Sequence, residues 1–266
     1  MNVVAKKKYG QNFLKDESVL RKIIESMPKN EHKIVEIGPG LGDLTKFLVD
    51  VKSVEAFEVD TDLCELLQSK FKKEIDTKRL QLNCGDVLEA WKSSLVDEEY
   101  DLVANLPYYI ATNIILKALA DPMCKNILVM VQLEVAEKFC ATDGEKVFGS
   151  LGVITQSVGS AKIVVKVPPT AFEPQPKVDS AVFLIEKRKD RTDDGFEQML
   201  KVAFTQPRKT LMKNLSAKYE KALLQEVFSD LELLSTIRPH QVSTHDYHQL
   251  YTKIKGSLDG RRETSR

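Results

Sequence analysis

Little in this chain of 266 residues points to metal, membrane or bulk electrostatic chemistry. It has four cysteines, Cys64, Cys84, Cys124 and Cys140, and no two of them form a C-x-x-C pair. Without thiols at ligand spacing no metal site is expected, and cysteines in or beside apolar segments read as buried thiols of a reducing compartment. Neither sign of charge is in excess, since 39 Lys and Arg face 39 Asp and Glu. Contact with a polyanion would therefore need a local basic cluster. No apolar run approaches the ~18 residues of a membrane span, and the basic N-terminus is not followed by the apolar core of a signal peptide. There is no internal repeat. A cytoplasmic protein without a membrane partner is expected.

What the chain does have is apolar strand signals alternating with helical ones. With 42% hydrophobic residues it can bury one large α/β core and a smaller second one. Strands are predicted at 34–37, 54–59, 80–82, 102–104, 127–131, 163–167 and 181–185. Helical patterns such as "DLTKFLVD", "TDLCELLQSKF" and "TNIILKALA" separate the first five. That rhythm predicts a doubly wound, mostly parallel seven-stranded Rossmann-like sheet. The last two strands are separated by "PPTAFEPQPKVDS", whose four prolines forbid a helix, so they read as an antiparallel edge hairpin. Ahead of the sheet, Asp16 is placed to cap a helix with the stripe Val19, Leu20, Ile23, Ile24 and Met27. From about residue 190 only helical patterns occur, including "KTLMKNLSAKYEKALLQEVF". The expected division is an α/β domain over 1–188, a helical domain over 189–256 and a disordered tail over 257–266.

The chemistry gathers at the ends of the predicted strands. "VEIGPGLGDLT" puts Gly38, Gly40 and Gly42 at a strand-to-helix turn, where missing side chains let a ligand approach the backbone. A dinucleotide fingerprint would need glycine where Asp43 stands, so that spacing fails. Glu58 ends the second strand, where an acid can accept from both hydroxyls of a ribose. Asp86 follows the third, placed to accept from an exocyclic amine. A glycine turn or a single acid is an ordinary loop feature, but glycines, acid and acid at consecutive strand ends suit an adenosine without pyrophosphate. That describes S-adenosylmethionine better than NAD.

The fourth strand runs into Asn105-Leu106-Pro107-Tyr108. An adenine N6 is a poor nucleophile because its lone pair is delocalised into the ring. If the Asn105 side-chain oxygen and the Leu106 carbonyl each accept one N6 hydrogen, the nitrogen is drawn toward tetrahedral geometry and its lone pair is freed for a sulfonium methyl. Pro107 sets the direction of the preceding carbonyl, and Tyr108 offers a ring face to a flipped base. The plainer reading, a turn with core tyrosines, loses ground because of the preceding strand ends.

Taken in order, "KKYGQNFLKD", "VEIGPGLGDLT", "NLPYYIAT", "VFGSLGV", "VPPTAFEPQPKVDSAV" and "AFTQPRKTL" resemble the KsgA family of small-subunit rRNA adenine dimethyltransferases from about residue 6 to 251. The resemblance implies N6-dimethylation of two neighbouring adenosines in the 3′-terminal hairpin loop of 16S rRNA within the immature 30S subunit, by a monomer. It also implies that Asn12 and Leu14 line the methionine end of the cofactor site, with Gly38, Glu58, Asp86 and Asn105 completing it. Phe172 would stack on the base opposite Tyr108. "YYIAT" stands where the family usually has "YNIST", which leaves the cofactor positions intact. Arg208, Lys209 and Lys213 are the candidate RNA contacts, with Lys209 and Lys213 expected on one helix face and Lys6, Lys7 and Lys8 adding charge at the N-terminus. The neighbouring readings are an Erm-type 23S rRNA methyltransferase, which typically has isoleucine where Leu106 stands, and a non-catalytic RNA-binding factor on the same fold.

Overall fold

The computed structural model describes residue 6, residues 11–189 and residues 193–263, with side chains described as far as residue 258. The strands are β1 (Phe13–Leu14), β2 (Lys33–Ile37), β3 (Val54–Glu58), β4 (Leu80–Cys84), β5 (Tyr100–Asn105), β6 (Cys124–Gln132), β7 (Gly159–Val167), β8 (Phe172–Glu173) and β9 (Ser180–Lys187). The helices are α1 (Glu17–Glu25), α2 (Asp43–Val51), α3 (Thr61–Lys70), α4 (Lys72–Asp76), α5 (Val87–Ala90), α6 (Ala111–Ala120), α7 (Leu133–Cys140), α8 (Ser150–Val158), α9 (Asp194–Ala203), α10 (Leu211–Leu215), α11 (Lys221–Asp230) and α12 (Thr244–Glu263). By its contacts the chain divides into two compact units, Met1–Glu137 with Gly159–Arg191 and Lys138–Val158 with Thr192–Arg266.

In the first unit seven strands form one sheet in the order β4-β3-β2-β5-β6-β9-β7. β2 through β6 pair in parallel, and β9 runs antiparallel to both β6 and β7. β3 is buried at every residue and β2 and β5 at nearly every one, as parallel strands are when helices cover both faces. The expected hairpin is present as the β9–β7 pair, with Ile163 opposite Phe183. The proline-rich connection holds no α-helix but a single 3-10 turn, Pro169–Ala171, followed by β8, which pairs Phe172 with Leu14 of β1. Asp16 caps α1 by accepting from the amides of Ser18 and Val19, and Val19, Leu20 and Ile23 are buried as the stripe predicts.

Strand order reverses between β2 and β5, with β3 and β4 to one side and β5 and β6 to the other. Open α/β sheets form their ligand crevice at such a reversal, beyond the carboxyl ends of the strands. Gly38 follows β2 at that point, and Asn105 ends β5.

Two of the four cysteines expected as buried thiols are not thiols. Cys64 on α3 and Cys84 at the end of β4 are paired as a disulfide, with Cα atoms 6.1 Å apart. Helix α3 lies against β4, a proximity that a sequence separation of 20 does not announce. Cys124 and Cys140 are free, and burial pushes both thiols up to about 12. Among the described residues no helix is long and apolar enough to cross a membrane.

The second unit is helical. Residues 138–158, placed by sequence in the α/β domain, group here because α8 packs on α9 and α12. Ser157 Oγ meets His248 Nε2 at 2.8 Å, and Thr244 Oγ1 donates to Gln156 Oε1 at 2.6 Å. The helical pattern "KTLMKNLSAKYEKALLQEVF" forms two helices, α10 and α11. Thr210 caps α10 by accepting from the Lys213 amide, and the Asn214 side chain bridges to Gln206. Lys209 therefore precedes the helix and shares no helical face with Lys213, a correction to the sequence reading. α12 continues through 257–263, where a disordered tail was expected. Its buried Tyr247, Leu250 and Ile254 anchor the helix, and propagation from an anchored helix is easy once nucleation is done. Residues 264–266 lie outside the described residues.

Candidate active site

A cavity opens at the reversal point and is bordered by the N-terminal segment at Asn12 and Leu14, the glycine turn, Glu58, Asp86 and the start of "NLPYY". Gly38, Gly40 and Gly42 all have positive φ, at 71°, 60° and 76°. The Gly38 amide donates to the Phe57 carbonyl at 2.9 Å, which ties the turn to β3. Glu58 is nearly fully buried. Its Oε2 accepts from the Gly40 amide at 3.1 Å and its Oε1 from the Asp60 amide at 3.0 Å. Burial pushes this carboxyl above its usual range, and the two amides pull it partly back. Glu58 thus braces the glycine turn while bordering the cavity, so the acid and the turn are one unit.

Sequence reasoning passed over Glu36, which also borders the cavity. The signal was present as an acid inside the otherwise apolar stretch of β2. Glu36 is fully buried, and Thr45 Oγ1 donates to its Oε2 at 2.7 Å. Burial pushes its carboxyl up to about 8 from 4.5. The folded protein then keeps a proton that the unfolded chain releases above pH 4.5, so this residue's contribution to stability falls as pH rises from 4.5 toward 8. Denaturant midpoints measured across that window should decline in the parent and decline less in Glu36→Gln. Equal slopes would show that Glu36 is ionised in the fold.

Asp86 caps α5 through Oδ1, which accepts from the Leu88 amide at 2.8 Å, and Oδ2 has no partner among the described residues. At the end of β5, Asn105 Nδ2 donates to the Asn12 carbonyl at 3.3 Å. Asn105 Oδ1 has no partner among the described residues. The Leu106 amide extends the β5–β6 ladder by donating to the Met130 carbonyl at 3.1 Å, and the Leu106 side chain is buried. Tyr108 is half-buried, its phenol oxygen 2.6 Å from Ser180 Oγ. Burial raises that phenol's pKa, so it stays neutral.

Asn12, Leu14, Gly38, Glu58, Asp86, Asn105, Leu106 and Tyr108 are brought together as expected. Phe172 is not among the residues bordering the cavity; its ring is buried in the core that also holds Leu14. Lys6 is committed to carboxylates, with Nζ 2.6 Å from both Asp60 and Asp62. Lys7 and Lys8 lie outside the described residues. In the second unit Arg208, Lys209 and Lys213 are exposed, and none of these side chains forms an ion pair among the described residues.

A sequence profile described as "Ribosomal RNA adenine dimethylase" matches residues 2–255. The Ribosomal RNA small subunit methyltransferase A of Sulfurimonas denitrificans is 78% identical over 261 residues, covering 98% of this chain and 97% of that protein. The protein of that name from Aliarcobacter butzleri is 53% identical over 257 residues, covering 95% and 97%. Among solved structures, a dimethyladenosine transferase from Plasmodium falciparum has TM-score 0.79 at 22% identity, covering 91% of this chain and 97% of that one. The 23S rRNA methyltransferase ErmE has TM-score 0.70 at 24% identity, covering 92% and 100%. At these identities the two structures speak to the fold alone.

Proposed function

Since the chain belongs to the ribosomal RNA adenine dimethylase family, we propose that its cavity holds S-adenosylmethionine and presents it to N6 of two adjacent adenosines in the 3′-terminal hairpin loop of 16S rRNA. The protein is an S-adenosylmethionine-dependent rRNA adenine dimethyltransferase. Its substrate form is the immature 30S subunit, met in the cytoplasm by a monomer. The observation that carries this reading is the Asn105 carboxamide, tied through its nitrogen to Asn12, with its oxygen unbonded among the described residues and bordering the same cavity as the glycine turn.

The residues present suit this cofactor. Glu58 would accept from the ribose hydroxyls, Asp86 Oδ2, which has no partner among the described residues, would accept from the adenine amine, and Asn12 and Leu14, which border the cavity, would line the methionine end. When bound, S-adenosylmethionine would supply an electrophilic methyl to N6, with the C–S electron pair remaining on sulfur and one proton leaving N6. Asn105 Oδ1 and the Leu106 carbonyl accept the two N6 hydrogens and localise the lone pair. Tyr108 stacks on the extruded base. Phe172 backs this site from the β1–β8 pair without bordering the cavity. Arg208, Lys209 and Lys213 bind phosphates.

Immature 30S particles incubated with the protein and S-adenosylmethionine should yield N6,N6-dimethyladenosine at both hairpin positions by mass spectrometry of that fragment. An unmodified fragment, with methylation instead of 23S rRNA offered in a parallel reaction, would overturn the assignment.

Glu58→Ala removes a ligand acceptor and the brace of Gly40 together. Calorimetry should show S-adenosylmethionine binding weakened by roughly 10- to 150-fold, the range for a hydrogen bond to a charged group, with RNA affinity unchanged. Equal cofactor affinity would remove Glu58 from the ribose. Lys209→Ala or Lys213→Ala should each lower the slope of log affinity against log salt by about one. A slope that does not move would place the phosphate contacts elsewhere.

A further inference from the structure

The Tyr108 ring is held by a residue that no local pattern pointed to. Its phenol oxygen is 2.6 Å from Oγ of Ser180, 72 residues later in the chain. Ser180 is completely buried. It is the first residue of β9, where the sheet register sets it opposite Gln132 of β6 and Val167 of β7. A hydroxyl seated between two strands has a fixed address. The bond to it locates the far end of the ring, while Pro107 constrains the backbone at the near end.

Two methyl transfers ask this site to hold two different bases. Adenine has two N6 hydrogens, one each for Asn105 Oδ1 and the Leu106 carbonyl. After the first transfer N6 keeps one hydrogen, and one of the two acceptors loses its partner. Stacking does not depend on N6 hydrogens, so it then carries a larger share of holding the base in place.

We propose that Ser180 is a positioning residue: its buried hydroxyl pins the Tyr108 ring as the platform for the target base, and the pin matters more for the second methyl transfer than for the first. This rests on the reading of Tyr108 as the stacking face. Ser180 and Tyr108 exchange no atoms with the substrate. In either transfer the new N–C bond replaces the C–S bond, whose electron pair stays on sulfur, and N6 gives one proton to water.

Ser180→Ala and Tyr108→Phe break the pin from opposite ends, and Ser180→Thr keeps a hydroxyl. Each full-length variant would be incubated with S-adenosylmethionine and small-subunit particles lacking the modification, and N6-methyladenosine and N6,N6-dimethyladenosine would be counted over time by mass spectrometry. The mono-to-dimethyl ratio should rise about fivefold in both loss variants, the size of one net hydrogen bond. It should rise no further when they are combined, and Ser180→Thr should return it toward the parent. A fall in both products at the parental ratio would make Ser180 merely structural and overturn the proposal. A parental rate and ratio in Tyr108→Phe would overturn it as well. Tyr108→Ala separates the two levels. If it is impaired while Tyr108→Phe is parental, only the pin fails; if it too is parental, the stacking face itself was misassigned.

Discussion

Asn105→Ala is expected to slow methyl transfer by roughly 30- to 150-fold, the ~2–3 kcal/mol associated with removing one preorganised polar group from a transition state. The carboxamide acts through both ends. Its nitrogen is tied to the Asn12 carbonyl at 3.3 Å, and its oxygen has no partner among the described residues. On the proposed reading alanine removes the acceptor that localises the N6 lone pair, and it also removes one bond to the N-terminal segment that borders the same cavity. Single-turnover rates at saturating cofactor report the first effect, because occupancy is then held constant. A rate within tenfold of the parent would mean that the Leu106 carbonyl suffices as acceptor.

Gly42→Ala should bring the largest loss of stability proposed here, about 2–5 kcal/mol in denaturant titration. At φ 76° an L-residue adopts a left-handed conformation that costs about 1–2 kcal/mol. A Cβ at this position would also lie 2.5 Å from a carbon of the Phe71 ring and 3.0 Å from a Leu67 methyl. Both side chains are buried, so neither has free space to enter, and overpacking of this kind adds about 1–3 kcal/mol. Gly38→Ala is the internal control. There φ is 71°, but the nearest atom to a new Cβ is a Pro107 carbon at 3.6 Å, so only the backbone penalty of about 1–2 kcal/mol applies. Equal losses at the two positions would show that Phe71 yields without resistance.

Much of the site could be read before the fold was known because strand ends are local features. Gly38, Glu58, Asp86 and Asn105 each sit at the end of an apolar run, and a parallel sheet sends all such ends to one edge. Motif spacing likewise anticipated the hairpin order and the absence of an α-helix in the proline-rich connection. Glu36 left only the weak sign of an acid in an apolar strand. Phe172 is less legible: its motif position implied a base contact, whereas its ring is buried in the core with Leu14 and does not border the cavity. Lys6 carried a charge suited to phosphate until Asp60 and Asp62 claimed it.

Residue order alone determined the strand and helix rhythm, the glycine turn, the acids beyond it and the carboxamide at the fourth parallel strand, since each depends on neighbours a few positions away. The three-dimensional arrangement decided which distant groups meet: Cys64 with Cys84, Ser157 with His248, and Tyr108 with Ser180. It also divided one helical pattern into two helices between Leu215 and Lys221 and drew residues 138–158 into the helical unit. Periodicity encodes which face of an element is apolar, whereas the partner that a buried hydroxyl or thiol finds depends on the register between elements, which the chain settles only when it packs.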